Sequence, residues 1–405
     1  MKKILFLFFI ADSLLPTRDC FSQGPWTQRA NMPGLARHRI FAFSIGSRGY
    51  IGCGWNGVDM YADFWEYDPG SNSWTQKADY PPGPRLSSFG FSIGNKGYAG
   101  SGLDQFLVSM SDFYEYNPSN NSWTQKSNFG GSPRFGCATA VINNKGYVAF
   151  GDEWDPSYWR TNDMWVYDPA FDSWNYETSW PVDGRRDPSG FALNNKFYVG
   201  LGSDNSYIEN GDWWEYDPAS GFWTQKAFFG GSPRSQATPF AVGGKGYVGL
   251  GGQFDEQDYF EYNAATNSWR GINIFPGAGR ENSFSFVIGN YGYVTCGTNG
   301  INYNDLWQFD PQFVTGLDDD HSRKFATSIF PNPMHDRATL ELSPSLYAMP
   351  DLAFELYDLQ GQKVSGMKII SKKCEIQRND LKAGTYFFSI ISSGKKISSG
   401  KLSVE

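Results

Sequence analysis

The chain is short of the side chains that most often carry chemistry. It has three histidines in 405 residues: His38, His321 and His335. It has five cysteines, none in a CxxC pair, so a zinc or thiol-redox site has no sequence support. Nucleophile-elbow, phosphate-loop and HExxH motifs are lacking, and the acids around Asp204 to Asp212 do not follow the calcium-loop pattern. No metal and no cofactor is therefore expected. The formal net charge of -8 argues against a nucleic-acid partner, because phosphate repulsion would go uncompensated. Long apolar runs are lacking too. The one candidate, Ile4 to Ile10 with a weaker continuation to Leu15, follows Lys2-Lys3 and is too short to span a bilayer. It reads as a secretory signal peptide over 1–22, cleaved after the small-x-small pattern Cys20 and Ser22, and no membrane span is expected in the mature protein. The four remaining thiols, Cys53, Cys137, Cys296 and Cys374, would enter an oxidising compartment, which raises a disulfide. Cys53 and Cys296 hold equivalent repeat positions, which favours small buried hydrophobes instead.

Aromatics and glycine are abundant, at 18% and 46 residues, a composition of short strands and turns. A tyrosine recurs at Tyr50, Tyr98, Tyr147, Tyr198, Tyr247 and Tyr293, with spacings of 48, 49, 51, 49 and 46 residues. Four residues after each comes a glycine: Gly54, Gly102, Gly151, Gly202, Gly251 and Gly297. Thirteen residues before each comes an arginine: Arg37, Arg85, Arg134, Arg185, Arg234 and Arg280. Later in each unit an aspartate precedes an aromatic residue by four: Asp63, Asp112, Asp163, Asp212, Asp258 and Asp305. In the first five units a tryptophan follows that aromatic after six intervening residues, at Trp74, Trp123, Trp174, Trp223 and Trp269. The sixth unit has Gly316 there, and the missing segment stands at the other end of the chain, where Trp26-Thr27-Gln28 matches Trp74-Thr75-Gln76. The pattern predicts an all-β fold: six four-stranded blades over 23–312, closed by an N-terminal strand that completes the last blade and hides its edge.

The tyrosine and tryptophan separated by six residues, with a glycine after the second strand, resemble kelch repeats, and the resemblance implies a six-bladed β-propeller. The first glycine of the usual doublet is replaced by Cys53, Ser101, Phe150, Leu201, Leu250 and Cys296, which implies a bulkier blade. Kelch propellers include copper radical oxidases, but one propeller histidine, His38, cannot supply the ligand pair such a site implies.

After Pro311 the repeat stops. Residues 313–326 read as a polar linker, and 327–405 as a small antiparallel β-sandwich with Leu352, Phe354 and Leu356 on one face and Tyr386, Phe388 and Ile390 on another. Phe330-Pro331-Asn332-Pro333, the run Leu356 to Val364, and Leu381-Lys382-Ala383-Gly384-Thr385-Tyr386 resemble type A sorting domains of the type IX secretion system. That resemblance implies a Bacteroidetes-type exporter as partner and an extracellular or outer-surface location; an immunoglobulin-like structural module is the alternative.

Two sets of residues compete as the site. The repeated arginines and aspartates line one end of the propeller channel, where opposite charges within each blade favour a structural pair over a ligand site. The loops between strands two and three break the symmetry: Asp152, Glu153, Trp154, Tyr158, Trp159 and Arg160 in blade three, Asp204 and Tyr207 in blade four, and Trp55 in blade one. Aromatics beside carboxylates suit stacking on a glycan or gripping a protein, against the alternative of loop-to-loop packing. No catalytic residue is assigned. The sequence favours a secreted or surface glycan- or protein-binding module over an enzyme; the alternative is a carbohydrate-active enzyme such as a sugar epimerase.

Overall fold

A computed structural model describes residues 24–153, 159–252, 256–314, 327–330, 333–342, 344–347, 349–358, 362–392 and 395–405. The signal-peptide reading, most of the linker, Trp154 and Tyr158 lie outside the described residues.

Residues 26–309 form six four-stranded antiparallel sheets. Blade one runs Phe41–Ile45, Arg48–Gly52, Phe64–Asp68 and Ser73–Lys77 from the channel outwards, and blades two to five repeat that order. Blade six has Phe284–Ile288, Tyr291–Thr295 and Leu306–Phe309 from its own segment, and its outer strand is Trp26–Arg29, with Trp26 opposite Phe309. Each innermost strand touches the next, and Phe284–Ile288 returns to Phe41–Ile45, so the ring closes. Trp26 lies among Phe240, Tyr259, Phe275 and Phe309, where the equivalent tryptophan of every other blade also packs on aromatics. The closing strand is therefore held by its ladder and by aromatic burial at the interface between blades five and six.

The blades meet through a size match. The second residue of the second strand is glycine in five blades, and the ring of a phenylalanine from the preceding blade fills the space where a Cβ would stand: Phe43 against Gly97, Phe91 against Gly146, Phe191 against Gly246, Phe240 against Gly292 and Phe286 against Gly49. Blade four departs from this, with Phe197 in place of the glycine. Blade three compensates, offering Ala140 where the others offer phenylalanine, and Ala140 and Phe197 share one core cluster. The volume has been exchanged across the interface, as close packing requires.

The C-terminal domain has two sheets, one of Thr327–Phe330, Arg337–Leu342 and Lys373–Gln377, the other of Lys363–Lys368, Leu352–Tyr357, Gly384–Ser392 and Lys395–Val404. Leu352, Phe354 and Leu356 were expected on one face and Tyr386, Phe388 and Ile390 on another. They line a single core, because their strands are hydrogen-bonded neighbours with Phe354 opposite Ile390.

The exchange between Ala140 and Phe197 is testable. Ala140→Phe alone overpacks the interface and should cost about 1–3 kcal/mol in denaturant unfolding. Phe197→Gly alone leaves a cavity and should cost about 3–5 kcal/mol. The double variant restores the arrangement of the other interfaces and should fall well short of the sum; strict additivity would refute the size match.

Candidate functional site

The repeated charges organise the loop end of the ring. Each arginine pairs with the aspartate of its own blade: Arg185 meets Asp212 at 2.9 and 3.2 Å, Arg234 meets Asp258 at 2.5 and 2.9 Å, and Arg37, Arg134 and Arg280 are bidentate on Asp63, Asp163 and Asp305. The arginines are buried in every blade. In five blades the guanidinium also donates to the carbonyl of Cys53, Phe150, Leu201, Leu250 or Cys296. These are the residues standing where a glycine doublet would begin, and they keep a glycine-like backbone, with φ of 62°, 67°, 61°, 59° and 61°. A left-handed conformation costs a non-glycine residue about 1–2 kcal/mol, and the charged hydrogen bond to its carbonyl offsets that cost.

Two hydrogen-bonded circuits run through the same residues. The amide of each repeated glycine donates to the carbonyl of the next blade's arginine, from Gly54 to Arg85 at 2.8 Å round to Gly297 on Arg37 at 3.0 Å. Nearer the axis, the residue two after each arginine donates to its counterpart in the preceding blade: Ser87 to Arg39, Gly136 to Ser87, Asp187 to Gly136, Gln236 to Asp187, Asn282 to Gln236 and Arg39 to Asn282.

Blade two is the exception among the pairs. Arg85 reaches Asp112 through a single bond of 2.9 Å, and Arg85 Nε and Asp112 Oδ1 are buried without a hydrogen-bond partner. Desolvation accordingly raises the Asp112 pKa, whereas Asp163, with hydrogen bonds from Arg134, Trp165 and Thr161 outweighing its desolvation, is lowered.

The inner circuit is where the blades differ. Ser87, Gly136, Asp187, Gln236 and Asn282 line a central cavity of about 270 Å³, and Arg39 stands beside it on Ser87 and Asp187. Arg39 donates to Ser87 Oγ at 3.0 Å and lies 3.8 Å from Asp187. Asp187 also receives Arg186 Nε at 3.1 Å and Gln236 Nε2 at 3.3 Å. Although burial opposes it, the charges of Arg39 and Arg186 and these hydrogen bonds hold the Asp187 carboxyl below its ordinary value. Burial lowers Arg39, since Asp187 compensates its charge only in part. The repeat register could have located this ring, because it is the position two after each arginine where residue type changes from blade to blade.

The loop residues marked by the sequence separate into buried and exposed sets. Asp152 and Arg160 are buried, 3.8 Å apart, with Arg186 3.6 Å from Asp152. Burial raises the Asp152 pKa, and Arg160 stacks over the Tyr207 ring at 4.3 Å. Glu153 accepts from Ser132 and lies 3.8 Å from Arg134. Trp55 is half-buried against Leu86, Leu103 and Phe135, with the His38 ring 5.4 Å away. Asp204 accepts the amides of Ser206 and Ile208 and so shapes its own loop. Asp152, Arg160 and Asp204 thus serve the internal packing of the loops, while Trp159 and Tyr207 are open to solvent at 59% and 67%. His38 is buried on Asn302 and burial lowers its pKa, so it is neutral at physiological pH. The four cysteines of the described residues are free, without a disulfide. Burial pushes the Cys137 thiol beside the channel up to about 12.

Residues 328–405 match the family model described as a secretion system C-terminal sorting domain. The tail is a secretion sorting domain. It carries the chain to the type IX export machinery and marks the protein as secreted or displayed at the cell surface. The solved structure described as "Structure of YjhT" is similar to the chain at 17% identity with a TM-score of 0.61, over 69% of this chain and 95% of that one. That likeness establishes the propeller fold. No curated protein matches. Among the described residues no helix is long and apolar enough to cross a membrane.

The unequal pairs predict unequal variants. Arg134→Ala leaves Asp163 uncompensated and should cost about 3–5 kcal/mol, and Arg85→Ala should cost clearly less. The pH dependence has opposite signs. Asp163, lowered in the fold, contributes stability that is present above the ordinary value of 3.8 and lost as pH falls through its folded value. Asp112, raised in the fold, contributes a penalty that grows as pH rises from 3.8 through its folded value. Urea unfolding of both variants and the parent at neutral and acid pH should show the Arg134→Ala deficit shrinking in acid; equal deficits in both variants would refute the ranking.

Proposed function

We propose that the protein is a secreted or surface-displayed binding module, with 1–22 a cleaved leader, 23–312 the propeller, 313–326 a linker and 327–405 the sorting tail, and that the loop end of the propeller recognises a glycan or protein. One observation carries this reading: the side chains that repeat in all blades are consumed by internal pairs, whereas those that differ between blades gather at the channel mouth and on the loops around it. A scaffold position has the same task in each blade and keeps its residue; a recognition position need not. Exposed Trp159 and Tyr207 offer the flat, amphipathic surfaces that carry binding energy.

Turnover of a sugar at the mouth is the weaker reading. Asp187 is the carboxylate best placed there, and Arg39, Arg186 and Gln236 occupy it and depress its pKa, which makes it a poor proton acceptor.

A glycan array and a surface-protein screen on the full chain would supply a ligand. Trp159→Ala should then weaken binding by about 1–3 kcal/mol and leave the melting temperature nearly unchanged, because the side chain is exposed. Unchanged affinity would remove the blade-three loop from the site. Deleting 327–405 should leave a folded propeller in the periplasm of a type IX-competent host, since propeller and tail have separate cores; surface delivery of the truncated chain would contradict the export role.

A further inference from the structure

Four of the loops between strands two and three are miniature hairpins, pinned by bridges between Trp55 and Met60, Leu103 and Ser109, Ser203 and Glu209, and Thr298 and Asn302. Their tips are apolar and exposed: Val58 at 84%, Phe106 at 75%, Ile208 at 60% and Ile301 at 68%. Blades two and four use the same device. Asp104 Oδ1 accepts the amides of Phe106 and Val108, and Asp204 Oδ1 those of Ser206 and Ile208. Leu107 and Tyr207 take left-handed backbones of φ 61° in both. Trp159 stands on the long hairpin of blade three between these two tips. The result is a crown of apolar tips around a polar mouth, held in shape before any partner arrives.

The charge on the crown loops themselves is one-sided, the arginines of the mouth, Arg39 and Arg186, being paired with Asp187. Beyond the repeated aspartates matched by their arginines, the six loops bring Asp59, Asp104, Glu153, Asp204, Glu209 and Glu256 among other acids, against one basic residue, Arg160, and no lysine. Arg160 is itself buried beside Asp152 and under Tyr207. Six of the propeller's seven lysines pair on or beside the strands: Lys77 with Glu66, Lys96 with Glu115, Lys126 with Asp172, Lys145 with Asp168, and Lys196 and Lys226 with Glu215; the seventh, Lys245, begins a strand. An acidic field around apolar tips is complementary to a basic surface that also offers apolar side chains. We propose that the crown docks a protein segment of that kind, in which leucine, isoleucine or phenylalanine stand among lysines or arginines. This inference rests on the loop end being the recognition surface, and it assigns the partner to protein over glycan.

The test is selection of a displayed library of random linear peptides on the immobilised full chain, with Phe106→Ser/Ile208→Ser as the counter-target and a glycan array run on both. Both substituted residues are exposed, and circular dichroism of the double variant checks that its fold is retained. The expected result is enrichment of basic, apolar peptides whose affinity falls about tenfold or more in the double variant and weakens further as salt is raised. Enrichment of acidic peptides, or of peptides that bind the variant equally well, would overturn the inference and leave the loop end as a binding surface. A glycan hit with no enriched peptide would do the same. No hit from either library would count against both. A concentration-dependent dimer that the double variant abolishes in sedimentation would assign the crown to a second copy of this chain, and so overturn the inference.

Discussion

Each blade of this propeller is fastened to the next through the main chain of one arginine. The guanidinium of that arginine holds an aspartate and, in five blades, the carbonyl of a residue in an unfavourable left-handed turn. Its own carbonyl receives the glycine amide of the preceding blade, and two residues later the chain enters the inner circuit. One side chain therefore fixes the backbone that forms two closed rings of hydrogen bonds. Bonds in such circuits support one another, since breaking one releases the geometry of its neighbours. The loops and the channel mouth stand on this frame, and their side chains are placed with little freedom to adjust.

That division of labour explains why function should be sought in the differences between blades. Arg39, Ser87, Gly136, Asp187, Gln236 and Asn282 share one backbone geometry and one main-chain hydrogen-bonding duty, so the circuit does not depend on the side chain at that position, which can differ from blade to blade. The same holds for the hairpin tips of blades two and four, where Asp104 and Asp204 do the shaping and Phe106, Val108, Tyr207 and Ile208 face solvent. Export by the sorting tail places this patterned end where it can meet large partners.

Much of the fold was legible because propeller repeats impose a strict spacing. The register of Tyr50 and its counterparts, and the displaced Trp26, anticipate the six sheets and the strand that completes the last. The pairing of repeated arginines with aspartates was also readable, from charge and from strand alternation. Side-chain burial in the loops was not. Asp152 and Arg160 look like surface groups in sequence, but the blade-three hairpin folds them inward against Arg186 and Tyr207. The exchange between Ala140 and Phe197 was invisible for another reason: it is a contact between blades, and a repeat alignment compares positions within them. In the tail, alternation identified the buried residues but could not show that two strands distant in sequence share one core.

Two continuous circuits close the ring, and the blade-six to blade-one junction carries the same bonds as the others. Native-state hydrogen exchange of the amides of Gly54, Gly102, Gly151, Gly202, Gly251 and Gly297 measures this directly, because each donates one bond of the outer circuit. Similar protection is expected for all six, set by the same cooperative opening. Fast exchange at Gly297 with protection retained at the other five would show that the junction opens by itself and would contradict that expectation.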